Sequence, residues 1–226
     1  DLMKNEEDPR IKEIYKKIDS SQDSYERIEL CSQINILDPK NFLVDTVKAA
    51  EYSNLNENEK AEESFKTAIK KSDRNHYFPS YHYGLFLCSQ KTRRVDGVKE
   101  LFHAEKLFTT VISKLKSLSD EELTEKKSTQ IIRNIKHMNK LSYALGCYLF
   151  SMGVVKGGLA YLERTFSIDP DSNFDKRPLN DARKAIKMCI DGIQECNFEL
   201  TKDENNVGVL FSKSNFLKKL EEYHEA

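Results

Sequence analysis

Helix-breaking residues are scarce in this 226-residue chain, which has only 8 Gly and 5 Pro. An all-β sandwich or barrel would need turn residues far more often. Apolar residues recur at helical spacing nearly throughout, and the periodicity predicts helices over 9–19, 21–36, 40–54, 57–73, 76–91, 96–118, 120–153, 155–168, 178–198 and 213–225. Asp38-Pro39, Asp169-Pro170 and Arg177-Pro178 mark helix ends or starts, because proline lacks a backbone donor and disfavours helix in the residue before it. The segments 20–23 and 54–57, and Gly153, read as turns. The stretch 205–212 reads as a linker that lays Val207, Val209 and Phe211 on the body, since a lone strand there has no pairing partner.

Hydrophobic residues make up 38% of the chain and charged residues 32%, with 12 Phe and 10 Tyr as core material. That composition is polar but not disordered. Lys and Arg number 36 against 37 Asp and Glu, a net charge of −1. Proteins that live on phosphate backbones carry a clear basic surplus, so nucleic acid is disfavoured as the main partner. No run of about 18 apolar residues exists, so no membrane span is expected. The first eight residues lack the apolar stretch of a signal peptide. Five cysteines form no C-x-x-C pair. They read as reduced, buried small hydrophobes, which suits a cytoplasmic or nuclear protein.

Helices of about 10–16 residues joined by short turns suggest stacked hairpins, the usual product of internal repeats. Ala49, Tyr52, Ala61, Phe65 and Ala68 stand at intervals of 3, 9, 4 and 3. Small Ala49 and Ala61 let two antiparallel helices approach, and Phe65 wedges against the next hairpin. This pattern resembles the tetratricopeptide repeat, a unit of about 34 residues. The large apolar slots of that family hold Asp45 and Lys48 here, and the closing proline slot holds Asp73. Pro39, one repeat length before Asp73, closes a preceding unit with Tyr15, Ile18, Arg27, Cys31 and Ile34 in its slots. A later unit carries Leu145, Gly146, Leu149, Gly158, Leu162 and Pro170 at matching spacings. Between them, Gly84 and Leu87 look like one helix of a unit and Ala104, Phe108 and Val111 like its partner, with 91–100 as an insertion.

The resemblance implies an all-α, right-handed superhelical solenoid of stacked antiparallel hairpins, with units at about 8–41, 42–75, 77–118 and 139–172 and a capping helix at 178–198. Together these form one domain over 1–198, followed by a linker and a C-terminal amphipathic helix over 199–226. It also implies a groove lined by the first helix of each unit. Its lining would be Lys12, Lys16 and Asp19 from the first unit, Leu43, Thr46, Val47 and Ala50 from the second, Phe78, Tyr81, His82, Leu85 and Cys88 from the third, and Lys140, Tyr143, Ala144, Cys147 and Phe150 from the fourth. An apolar, aromatic concavity rimmed by charge suits a helical or extended segment of another protein. Phe78, Tyr81, Tyr143 and Phe150 could equally pack on the long helix or on 205–225, and the helix bearing Phe216, Leu217, Leu220 and Tyr223 could fill the groove itself. Tetratricopeptide co-chaperones that grip a terminal carboxylate use a Lys, Asn and Arg cluster. Here Lys12 matches, but Lys16, Val47, Phe78 and His82 occupy the other positions, and such a lining cannot neutralise a carboxylate.

The helix expected at 120–153 is long, about 50 Å. Ile131, Ile135, Met138, Ser142, Leu145 and Leu149 form one stripe. Asp120, Glu121, Glu122 and Glu125 open it, and Lys126, Lys127, Arg133, Lys136 and Lys140 follow without an acid between them. Arg133, Lys136 and Lys140 therefore read either as a docking strip for an acidic segment or as a solvated face. Together with Lys91, Arg93 and Arg94 they also support an alternative, an RNA-associated helical-repeat protein.

Motifs that carry chemistry are few. The histidine spacings lack the i,i+4 pairing of a helical zinc site, and Cys189 and Cys196 have no nearby His. No phosphate-cradling glycine loop and no nucleophile elbow occur. The sequence thus points to a non-catalytic adaptor or scaffold subunit with no cofactor, no metal and no small-molecule substrate. Its expected contacts are Phe78, Tyr81, His82, Tyr143, Cys147 and Phe150 in the groove and Arg133, Lys136 and Lys140 on the rim.

Overall fold

A computed structural model describes residues 8–117 and 125–221. Among these residues the chain forms ten α-helices, one short 3-10 turn and no strand. The chain divides into two compact units, Asp1–Ser119 and Asp120–Ala226.

The first unit holds α1 (Pro9–Ser20), α2 (Ser24–Leu37), α3 (Phe42–Asn54), α4 (Asn58–Lys71), α5 (Tyr77–Ser89) and α6 (Arg94–Lys116), with the 3-10 turn at Lys91–Arg93. Local chemistry sets the starts. Asp8, Asp23 and Asn41 accept backbone N–H bonds from Arg10, Tyr25 and Val44 at the first turns of α1, α2 and α3, satisfying donors that the helix leaves orphaned. Each helix packs on its neighbours in sequence, and α3 also touches α5. Two clusters form the interior. Ile11, Ile18, Leu30, Cys31, Ile34 and Val44 join α1, α2 and α3. Ala49, Ala61, Phe65, Tyr83, Phe86 and Leu87 join α3, α4 and α5.

The second unit holds α7 (Glu125–Ser151), α8 (Val155–Ile168), α9 (Arg177–Leu200) and α10 (Val207–Glu221). Here α8 packs on α7, α9 and α10, and α9 and α10 form a hairpin. Leu162, Leu179 and Ala182 are its buried centre.

Three hairpins cross at small residues. Ala49 and Ala61, the crossing pair expected from the sequence, are fully buried beside Phe65. In the α7–α8 hairpin a Cβ on Gly146 would stand 2.7 Å from Leu162 Cγ, and one on Gly158 would stand 2.7 Å from the Phe150 nitrogen. The α5–α6 hairpin does the same with Gly84, Gly97 and Leu101, where a Cβ on Gly97 would fall 2.6 Å from the Cys88 nitrogen. This corrects the expected partner helix, since Gly97, Leu101 and Ala104 carry the small–large–small pattern in place of Ala104, Phe108 and Val111. The residues 91–100 are therefore no insertion between the two helices. They form the 3-10 turn and the first turns of α6.

A second correction concerns 205–212. Asn206 Oδ1 accepts from the Val209 N–H, and α10 begins at Val207. Val207 and Phe211 remain 77% and 68% exposed instead of lying on the body. In α7 the stripe Met138, Ser142, Leu145 and Leu149 is buried, but Ile135 is 38% exposed. The helix is described over 27 residues, about 40 Å, and Asp120, Glu121 and Glu122 lie outside the described residues.

The two departures from the repeat pattern are accommodated differently. Lys48 stays half-buried, whereas Asp45 is buried and paired. Its carboxylate meets Lys71 Nζ at 2.6 Å and accepts from Asn35 Nδ2 at 2.7 Å, tying α2, α3 and α4 together. Buried Glu51 likewise meets Arg27 at 2.7 Å and accepts from Ser24 Oγ at 2.7 Å. Buried charge of this kind is tolerable only when paired.

Candidate functional site

The α5 sequence, Tyr-Phe-Pro-Ser-Tyr-His-Tyr-Gly-Leu-Phe-Leu-Cys-Ser, contains no Asp, Glu, Lys or Arg. A helix apolar on every side is normally enclosed on every side. One face of α5 is: Ser80, Tyr83, Gly84, Leu87 and Cys88 are buried. The stripe Phe78, Tyr81, His82 and Leu85, at i, i+3, i+4 and i+7, is only half-buried. Leu43, Val47 and Ala50 of the adjacent α3 are half-buried too, while Thr46 and Cys88 are interior and do not line a surface.

Ring contacts hold this stripe in place. The Phe78 ring meets His82 edge-on at 4.5 Å, and His82 meets Tyr81 at 5.0 Å. Tyr77 packs edge-on against buried Phe108 at 4.0 Å, and His76 stacks on Tyr77 and tilts against Phe42 at 4.9 Å each. His76 also starts the helix, its Nδ1 accepting the Phe78 N–H at 3.2 Å. That bond needs a neutral ring, and burial pushes the His76 pKa down to about 4. Sequence reasoning missed His76, Tyr77 and Phe42 as parts of this ring system. The absence of Asp, Glu, Lys and Arg along α5 was the available signal.

Tyr143, Cys147 and Phe150 lie in the other unit. All three pack against Leu162, Leu179 and Ala182. The Tyr143 ring stacks on Phe174 at 4.5 Å, and its hydroxyl donates to the Asp175 carbonyl at 3.1 Å. Burial pushes that hydroxyl up to about 12 and raises the Cys147 thiol. These residues thus serve the packing of α7 on α8 and α9.

Arg133, Lys136 and Lys140 are exposed along one stripe of α7, opposite buried Asn134, Met138 and Leu141. Half-buried His137 is pushed down first by burial and then by the positive charges of Lys140 and Arg133. The side chains of Lys126 and Lys127 lie outside the described residues. The second basic cluster is partly spent inside the fold. Arg93 meets Glu62 at 2.6 Å, and Lys66 reaches the same carboxylate at 2.8 Å. Arg93 first and Lys66 second hold Glu62 down at about 2.

Among the described residues no group of three or more His, Cys, Asp or Glu side chains is placed to share a metal ion, and no helix is long and apolar enough to cross a membrane. All five cysteines stand free, with Cys31, Cys88, Cys189 and Cys196 buried and Cys147 half-buried.

Comparison with protein-family models finds no family that matches this chain, and comparison with curated proteins finds no match either.

Proposed function

We propose that this chain is a non-catalytic adaptor, a tetratricopeptide-like helical-repeat protein whose half-buried α3–α5 face binds a helical or extended segment of another protein. One observation carries the reading. A helix without a single Asp, Glu, Lys or Arg keeps one aromatic stripe open to solvent. Water gains nothing from such a stripe, and a partner side chain that covers it gains about 25 cal/mol per Å² of apolar area. Phe78, Tyr81 and His82 are rigid, low-entropy contacts of the kind that dominate binding energy. Ring contacts among these residues and between Phe78 and Tyr77 pre-organise the surface, which lowers the ordering cost of association.

The basic stripe Arg133, Lys136 and Lys140 is a separate element that adds attraction for acidic segments. Exposed charges of this kind act on association rate and salt dependence more than on affinity.

The test is co-purification of native partners with the chain and with a Phe78→Ala, Tyr81→Ala double substitution. Both side chains are half-buried, so the variant is first shown to keep its helical circular-dichroism spectrum and cooperative melting. The reading expects partners to be lost with the fold intact. Retention of the same partners would remove the α3–α5 face from consideration.

A further inference from the structure

We propose that the second unit carries a binding site for a linear alkyl carboxylate, in the cavity between the start of α8 and the α9–α10 hairpin. This inference stands independently of the α3–α5 face.

The hollow has a volume of about 710 Å³ and opens broadly to solvent, with Val155 and Cys189 buried at its base and Gly153, Met188, Asn215, Lys218 and Lys219 exposed around it. Small residues make the space. Gly153, at the α7–α8 turn with φ +87°, has nothing within 4 Å of where a Cβ would stand. At Gly192 a Cβ would fall 2.6 Å from the Phe216 ring, so the ring lies directly on the α9 backbone as a floor. Ala185 lines the α9 side of the opening.

The chemistry of the lining is one-sided. Val155 of α8, Met188 of α9 and Phe216 form apolar walls. Met188 is 70% exposed beside this opening, an adaptable thioether that gains by being covered. Apart from the buried Cys189 thiol of α9, the polar side chains come from α10. Asn215 and Lys219 share one helix face at i,i+4, and Lys218 stands next to them. Among the described residues that line the cavity, Lys218 and Lys219 are the charged ones, and both are positive. An apolar body with cationic groups at one edge is complementary to a ligand with a hydrocarbon chain and a single anionic end. It discriminates against cationic and uncharged chains of the same length.

The test is isothermal titration of the whole chain with octanoate, decanoate and dodecanoate below their micellar concentrations, with dodecyltrimethylammonium as the charge-reversed probe. Saturable one-to-one binding is expected, tightening roughly tenfold per two carbons while the chain still finds wall to cover. A Lys219→Gln variant should bind dodecanoate about threefold more weakly. Met188→Glu, at a position exposed enough to leave the fold intact, sets a carboxylate into the wall and should weaken binding roughly tenfold or more. Absence of saturable dodecanoate binding, equal binding of dodecyltrimethylammonium, or unchanged binding by both variants would each overturn the proposal.

Discussion

The carboxylate of buried Asp45 on α3 and the ammonium of half-buried Lys71 on α4 meet at 2.6 Å, with Asn35 of α2 bonded to both. Asp45 occupies a slot that the proposed tetratricopeptide-like repeat would fill with a large apolar side chain. Three helices are therefore joined here by a polar clasp where a hydrophobic wedge would serve. Breaking one side of such a clasp leaves a buried charge without its partner, whereas replacing both sides with apolar groups removes that cost. Asp45→Leu alone should destabilise the fold by about 2 kcal/mol, and Asp45→Leu with Lys71→Met should recover most of the loss. Urea denaturation of the two single variants and the double variant measures this. Additive losses would show that the pair does not act as a unit.

The glycines at the helix crossings give a prediction whose sign is informative. On helix propensity alone, Gly→Ala in a helix interior stabilises by about 1 kcal/mol. At Gly97 and Gly158 the added Cβ would meet backbone nitrogen atoms at 2.6 and 2.7 Å, and backbone cannot step aside as a side-chain tip can. Both substitutions should therefore destabilise, by about 1–3 kcal/mol. The measurement is the shift in urea midpoint at constant slope.

Much of this architecture is legible in the sequence, and the departures have definite causes. Ala49, Ala61 and Phe65 stand out because alanine and phenylalanine fill the small and large positions without ambiguity. The α5–α6 crossing lies two helical turns before the place its pattern suggests, because Gly97 and Leu101 do the same work with different residue types while Ala104 and Phe108 imitate the pattern further on. The start of α10 is hidden because Val-Gly-Val-Leu-Phe reads equally well at period two, and a capping bond to Asn206 decides it. The α5 stripe can be found from the repeat resemblance, which puts the first helix of each unit on a groove. The covering of Tyr143 cannot, since it depends on Phe174 returning through a turn some thirty residues later.

Acid sensitivity should come partly from His76. Burial lowers its pKa from an ordinary value near 6.5 to about 4. Between these values the unfolded chain binds the proton that the folded chain refuses, so stability rises with pH there. The contribution is complete above about pH 6.5 and is lost as pH falls toward 4, amounting to about 2 kcal/mol by pH 4.5. His76→Asn keeps a side chain that can cap α5 but does not titrate. Melting curves of the two proteins should differ in their pH slope between about pH 4.5 and 6.5, the wild-type chain losing more stability on acidification. Parallel profiles across that window would contradict the assignment.

The buried thiols should be inert. Desolvation pushes Cys31 up to about 12 and Cys88 up to about 11, so almost no thiolate exists at about pH 8. Iodoacetamide at that pH should leave both unmodified in the folded protein and modify both in concentrated guanidinium, as read by peptide mass spectrometry on the order of an hour after mixing. Rapid modification of either in the folded protein would mean that its hairpin opens readily.

Contact between the α5 stripe and another protein is what the functional reading stands on. Site-specific photocrosslinking in cells probes it directly, with p-benzoylphenylalanine replacing half-buried Tyr81 and, as a control, exposed Glu59 on α4. A discrete crosslinked partner is expected from position 81 and none from position 59. No adduct at 81, or the same adducts from both positions, would contradict it.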